Sequence, residues 1–171
     1  MTNNLLLTVT GPDLPGMEDV LARTVSQHKA RSLSSHMAHM GGRFASIMFI
    51  SVSPEELKGL TSDLTSMKNN GVKVQFDRMD PAALPDHESH LLMNLIADEA
   101  PELVTDVSRL LGEQHIRISE IHTDTIPAPY TGEHLQSIQA HLYAPDGTDV
   151  DTVRERIESL SPELILDISP G

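Results

Sequence analysis

The alternation of apolar and polar residues in the first half of the chain predicts six elements in the order βαββαβ. These are a strand over residues 5–10, a helix whose apolar stripe starts at Met17, strands over residues 31–40 and 43–52, a helix opened by Pro54, and a strand starting at Val72. Gly41-Gly42 predicts a hairpin turn between the two middle strands, and Asn70-Gly71 predicts the end of the second helix.

The second half of the chain repeats this pattern. The apolar stripe of the first helix recurs at a constant offset of 86 residues, which pairs Met17, Leu21, Thr24 and Val25 with Leu103, Val107, Leu110 and Leu111. The stripe of the second helix recurs at an offset of 93, and we assign the seven-residue difference to the loop IPAPYTGEH. The chain is therefore predicted to hold two domains, residues 1–79 and 89–171, joined by a polar linker over residues 80–88.

A βαββαβ unit of about 80 residues is typical of the ferredoxin-like arrangement, in which an antiparallel sheet carries both helices on one face. The predicted fold class is therefore α+β, with two such units. The opposite sheet face then needs a cover, because residues such as Leu6 and Ile47 fall on it. Pairing between units, or self-association into a homodimer, would supply that cover.

The charge balance argues against several classes of partner. The chain has a net charge of -13, from 12 basic and 25 acidic residues, and only five aromatic residues. Nucleic-acid binding depends on basic residues at phosphates and on aromatic stacking, so we expect no direct binding to DNA or RNA, and none to a membrane. With no cysteine, no signal peptide and no long apolar run, the sequence predicts a cytoplasmic protein.

No pattern of catalytic residues is found. The nine histidines do not form a ligand set, since His36 and His39 fall on opposite faces of one strand, as do His134 and His141 on another. Nucleotide-binding loops and nucleophile elbows are absent from the sequence. We therefore expect no enzyme activity, no metal and no cofactor.

The stretch VTGPDLPGMEDV, residues 9–20, places two prolines and two glycines between a strand and a helix. The first amides of a helix have no partner within the helix and lie at the positive end of its dipole, so they suit a carboxylate. Gly16 leaves room for a small ligand, and Asp13 could accept a hydrogen bond from an ammonium group. Alternatively, Asp13 only caps the helix and Gly16 only permits the turn.

These residues resemble an ACT domain: an Asp-x-Pro-Gly turn, a first helix, and a strand that leads to a glycine turn and Phe44. The segment IADEAPELVTDVSRLLGEQHIRISEIHTDTIPAPYTGEHL is similar to the second ACT unit of the glycine cleavage system transcriptional repressor family. The resemblance implies an amino acid held between the first loop of one unit and a strand of its neighbour. It implies a site formed by Asp13, Leu14, Pro15, Gly16, Met17 and Arg31.

The second unit departs from this motif. It reads Asp98-Glu99-Ala100-Pro101-Glu102, so the expected glycine is a glutamate and one residue is added. Because the charge of Glu102 competes with a ligand carboxylate, we expect only a weaker second site, formed by Asp98, Pro101, Glu102 and Leu103.

The resemblance implies a non-catalytic regulator. Such a protein would bind a small, glycine-like amino acid and modulate a DNA-binding transcription regulator by protein–protein contact. The alternative is an ACT regulatory subunit, or a stand-alone amino-acid sensor, that acts on a metabolic enzyme.

Overall fold

The computed structural model describes residues 2–79, 88–129 and 132–171. The chain divides into two compact units, residues 1–84 and 85–171. The predicted linker, residues 80–88, lies outside the described residues except for Glu88, which begins a strand. The domain boundaries therefore stay a prediction.

The first unit has the predicted order of elements. It consists of β1 (Asn3–Pro12), α1 (Met17–Gln27), β2 (Arg31–Met40), β3 (Arg43–Val52), α2 (Pro54–Ser66) and β4 (Lys73–Arg78), with a 3-10 turn (Met67–Asn70) after α2. Its sheet is antiparallel, in the order β2-β3-β1-β4.

The second unit repeats this topology. It consists of β5 (Glu88–Asp98), α3 (Leu103–Glu113), β6 (Arg117–Pro127), β7 (His134–Pro145), α4 (Val150–Glu158) and β8 (Ile165–Pro170). The antiparallel sheet order is β6-β7-β5-β8. The prediction of an α+β protein with two βαββαβ units is confirmed.

One face of each sheet packs against the helices. In the first unit this core contains Leu7 and Val9 of β1, Leu21 of α1 and Leu60 of α2, all fully or almost fully buried. The corresponding core of the second unit contains Met93, Leu95, Val107 and Ile157. The alternating strand pattern and the helical stripes predicted these residues, because burial on one face follows the local period of each element.

The other sheet face of the first unit carries exposed apolar side chains. Met40 is 81% and Ile47 is 51% exposed within the described chain. That this face is covered by another unit or another copy stays a prediction.

The duplication extends to backbone detail. The first helix of each unit ends in a residue with left-handed φ, 52° at Lys29 and 58° at His115, positions that differ by 86 residues. Each following strand then has a bulge, after Ser32 in β2 and after Ile118 in β6. The prediction that the whole seven-residue difference lies in the loop IPAPYTGEH is only partly right. The strands β3 and β7 match at an offset of 92, so six residues are added before β7. The seventh residue is added between β7 and α4.

None of the helices in residues 2–79, 88–129 and 132–171 is long and apolar enough to cross a membrane.

His28, at the end of α1, joins the two helices of the first unit. Its Nε2 lies 2.8 Å from Asp63 Oδ2 and its Nδ1 lies 3.3 Å from Glu56 Oε2, both on α2. Gly59 makes room for the ring, since a Cβ there would lie 2.7 Å from its Cε1. The hydrogen bond to Asp63 is the largest cause of a raised pKa at His28; partial burial opposes it, and Glu56 adds to it. In the second unit Gln114 occupies the equivalent position.

We expect His28 to make the stability of the first unit depend on pH. Because its pKa is higher in the folded than in the unfolded state, the stabilisation is fully present below about pH 6.5 and is lost as the pH rises through the folded value. Thermal unfolding of His28→Gln should therefore differ from the wild type most at about pH 5.5 and least at about pH 8.5. The exposed His122→Gln serves as control, and a difference that does not vary with pH would contradict the interpretation.

Ser46 is the one polar residue in the described core, at 2% exposure, and its hydroxyl has no hydrogen-bond partner among the described residues. The second unit has Ile138 at the equivalent position, and Ile138 is fully buried. We expect Ser46→Ala to stabilise the first unit by about 1 kcal/mol, because an unpaired buried hydroxyl is removed. Urea unfolding checks this, with Ser51→Ala on the other sheet face as control; destabilisation by Ser46→Ala would contradict it.

Candidate functional site

The loop between β1 and α1, residues 13–16, is held at one end of the first sheet. The Asp13 amide donates to the Gly42 carbonyl at 3.0 Å, and the Met17 amide donates to the Leu14 carbonyl at 3.2 Å. Gly41 and Gly42 both have positive φ, 56° and 72°, as the predicted two-residue hairpin requires. The loop is therefore anchored to the β2–β3 turn by the backbone.

Gly16 shapes the start of α1. Its φ of 84° is left-handed, and a Cβ placed on it would meet no atom within 4 Å. No side chain caps this helix, whereas at α4 the Asp149 carboxylate accepts hydrogen bonds from the amides of Asp151 and Thr152. The start of α1 thus combines open space with helix amides that no side chain occupies, which suits a small anion.

Asp13 does not cap the helix, so that interpretation is wrong. Its Oδ1 instead lies 2.9 Å from Nδ1 of His39 on β2, and Nε2 of the same ring lies 3.1 Å from Glu18 Oε1 in the first turn of α1. Sequence reasoning gave His39 no role. The distance of 26 residues between His39 and Asp13 leaves no local signal, and only the sheet register brings them together.

The other acid in the first turn of α1 is also paired. The carboxylate of Asp19 lies 2.9 Å from the guanidinium of Arg23 one helical turn later. Each carboxylate around the start of α1, those of Asp13, Glu18 and Asp19, therefore has a basic partner. A ligand carboxylate placed there would meet paired acids.

A shallow depression of about 380 Å³ lies at the same end of the sheet. It is lined by Thr10, Ala38, Met40, Arg43, Phe44 and Ala45. This volume is at the lower end of the range for small-molecule sites. Its lining contains Arg43 beside the hairpin but none of the loop residues 13–17, so the depression is separate from the start of α1.

Arg31 lies at the other end of the first sheet. It pairs with Ser51, whereas the loop adjoins Arg43 at the opposite end of β3. Eight strand residues separate the two positions, about 26 Å at the rise of a β-strand. The structure therefore brings Asp13, Leu14, Pro15, Gly16 and Met17 together but does not bring Arg31 to them.

The second loop has the same length as the first. It covers residues 99–102 between β5 and α3, at an offset of 86 from residues 13–16, so the expectation of an added residue is wrong. Glu99, rather than Asp98, consequently occupies the position of Asp13. Pro101 and Leu103 match Pro15 and Met17, and Leu103 is buried.

The second loop differs from the first in conformation and charge. Glu102 has φ -86° where Gly16 has 84°, and no side chain caps α3. Thr125 occupies the position of His39, so this loop has no imidazole between its acids. Within the described chain, neither Glu99 nor Glu102 forms an ion pair. Two unpaired carboxylates therefore stand where the first unit has Asp13 and an open glycine.

Side chains of the second sheet form a connected set of contacts. Arg117, the equivalent of Arg31, lies 2.6 Å from Glu88 and 4.6 Å from the ring centre of Tyr143. His90 stacks on Tyr143, and its Nε2 lies 3.1 Å from Nδ1 of His141. Sequence analysis could not find this contact, because cross-strand neighbours are not visible in local spacing.

Metal ligands are not gathered anywhere in the described chain. No group of three or more His, Asp or Glu side chains among these residues is arranged to hold an ion.

Comparison with known proteins identifies the fold. A family model for the ACT domain matches residues 3–77. This match spans the N-terminal unit from β1 into β4. The second unit repeats the topology of this matched unit.

Relatives extend the similarity over both units. The chain is 23% identical to a glycine cleavage system transcriptional repressor of Escherichia coli (strain K12), over 94% of this chain and 85% of the relative. A crystal structure of an unknown protein from Galdieria sulphuraria matches with a TM-score of 0.81 and 22% identity, over 100% of this chain and 99% of that one. A crystal structure of a candidate glycine cleavage system transcriptional repressor matches with a TM-score of 0.73 and 19% identity, over 100% and 99%.

The structural matches show the fold, since both are below 25% identity. The ACT match in the first unit and the similarity to a repressor support a regulatory protein with an ACT domain. The ligand and the partner belong to the proposal that follows.

Proposed function

We propose that this protein is a non-catalytic regulator that binds a small, glycine-like amino acid at the loop of its first ACT unit. It then modulates a DNA-binding transcription regulator by protein–protein contact, as in glycine cleavage system repression. The observation that carries the ligand site is the uncapped start of α1 beside a left-handed Gly16 with open space around it.

The ligand's two charged groups have distinct partners in this proposal. The carboxylate accepts hydrogen bonds from first-turn amides of α1, where the helix dipole is positive. The ammonium group bonds to the second oxygen of Asp13, because Oδ1 is engaged by His39. Residues Leu14, Pro15 and Met17 set the loop's shape, and the prolines lower the entropy lost on binding.

The second loop binds the same ligand weakly or not at all in this proposal. Its Glu102 replaces the open glycine with a carboxylate at the helix start, and its Glu99 has no imidazole partner. A ligand carboxylate would therefore be repelled there, although the helix is equally uncapped.

The distribution of charge supports a protein partner. Residues 1–84 contain eight basic and eight acidic side chains, whereas residues 85–171 contain four basic and seventeen acidic ones. All four lysines are in the first half. The second unit thus carries the whole net charge of -13, which repels nucleic acid and complements a basic protein surface.

We expect glycine or another small amino acid to stabilise the protein against heat. Efficient binding of five heavy atoms gives at best about -7.5 kcal/mol, a dissociation constant in the low micromolar range. At 100 times that constant the ligand adds about 2.7 kcal/mol and raises the unfolding midpoint by about 5–10 °C. A thermal-shift panel of the common amino acids, followed by calorimetric titration, measures this.

Two reciprocal variants locate the site. Gly16→Glu gives the first loop the charge of the second and should abolish binding, while Gly16→Ala carries the same backbone strain without the charge and should retain it. Glu102→Gly should leave the first site unchanged. Binding retained in Gly16→Glu would move the site elsewhere, and two equivalent sites per chain would refute the asymmetry.

The partner is tested by capture on the tagged full-length chain, with identification by mass spectrometry. We expect a DNA-binding transcription regulator, released above about 0.5 M salt because exposed charges are then screened. The triple variant Asp151→Asn, Glu155→Gln, Glu158→Gln on the outer face of α4 should weaken capture. The control Glu55→Gln, Asp77→Asn, at exposed positions of the first unit, should not. Recovery of a metabolic enzyme instead would support the alternative of an enzyme-directed sensor.

A further inference from the structure

The imidazole of His39 connects three parts of the first ACT unit. It lies on β2, its Nδ1 is 2.9 Å from Asp13 in the loop, and its Nε2 is 3.1 Å from Glu18 in the first turn of α1. Its cross-strand partner on β3 is Phe44, whose ring centre is 6.3 Å away. The ring therefore holds the loop and the helix start to the sheet.

Both contacts require the same protonation state. A carboxylate at neutral pH only accepts hydrogen bonds, and a neutral imidazole has a single N–H. His39 can donate to Asp13 and to Glu18 at once only as imidazolium. When the ring loses a proton, one of the two contacts loses its donor, and two carboxylates remain beside the start of α1 with no positive charge on the ring.

The other charges around this position do not change near neutral pH. On α1, Asp19 is paired with Arg23, which stays protonated. On β3, the residue packed against His39 is the uncharged Phe44, and Arg43 follows the hairpin. The charge that can change is therefore that of the His39 imidazole, which is placed between the carboxylates of Asp13 and Glu18.

We propose that His39 is the positioning residue of the amino-acid site and makes ligand binding depend on pH. As imidazolium it pins the loop to α1 and offsets the charges of Asp13 and Glu18, so that a ligand carboxylate can approach the helix amides. As neutral imidazole it releases one acid and leaves both uncompensated. The inference rests on the proposed function, since it concerns the same site.

The second unit supports this role by contrast. Thr125 stands at the position of His39, and Val104 stands at the position of Glu18. The loop acid there, Glu99, has no ion-pair partner among the described residues. A pH response should therefore arise from the first unit alone.

The test is calorimetric titration of the full-length chain with glycine, and with any amino acid found in the thermal-shift panel, at about pH 5.5 and pH 8.0. We expect the wild type to bind about five- to tenfold more tightly at the lower pH, because one positive charge near the ligand carboxylate is lost as the pH rises. Free amino acids remain zwitterions across this range, so the ligand does not contribute to the change.

Two substitutions separate positioning from structure. His39→Lys keeps a positive charge at both pH values and should bind tightly with little pH dependence. His39→Gln keeps a donor without the charge and should bind weakly with little pH dependence. His28→Gln, at the other end of α1, should show the wild-type pH profile. A wild-type profile in His39→Gln would overturn the proposal.

A measurement without ligand keeps the two proposals distinguishable. In nitrogen-15 NMR spectra of the free protein, the amide of Gly16 should shift with the same midpoint as the His39 ring, and this shift should disappear in His39→Gln. If no amino acid binds at either pH, the proposed function fails, and the Gly16 titration still decides whether His39 pins the loop. A Gly16 amide that does not follow the ring would refute the pinning itself.

Discussion

Each unit depends on a central strand that is hydrogen-bonded on both sides and buries alternate residues under two helices. Leu7 and Val9 serve this role in the first unit, and Met93 and Leu95 in the second. Because this strand leads directly into the first helix, its burial fixes where the connecting loop begins and where the helix must start. The loop therefore has four residues in both units, and its amides emerge at the same place relative to each sheet.

With the frame fixed in this way, the two units differ in a few side chains around equivalent backbone. Gly16 faces open space at a position where the second unit has Glu102, and His39 stands where the second unit has Thr125. Neither difference affects the core, since all of these side chains lie at the loop or on its neighbouring strand. Under the proposed function, the duplication thus allowed one loop to keep a ligand site while the other changed freely.

Local patterns in the sequence predicted the fold well because sheet alternation and helix periodicity are local properties. The offset of 86 residues identified the repeat and the buried stripe from Leu103 onward. The same patterns could not predict the contacts of His39 or His90, which depend on the register of strands distant in sequence. Arg31 was assigned to the site from the motif alone, and the direction of β2 places it at the far end of the sheet.

The separation of charge between the halves bears on how such a protein could signal. A glycine-sized ligand adds no net charge, so it cannot alter the long-range field of the acidic second unit. What it can change is the local structure of the first loop, where the His39 imidazole on β2 contacts the side chains of Asp13 in the loop and Glu18 in α1. Under the proposed function, the attraction between the acidic second unit and a basic partner is therefore the same with and without ligand. Ligand binding and protonation change only the short-range contacts that the first loop makes. Long-range attraction between charges sets how fast the two proteins associate, and short-range contacts set how slowly the complex dissociates. Because the ligand changes only the short-range contacts, it would regulate the dissociation rate of the complex rather than its association rate.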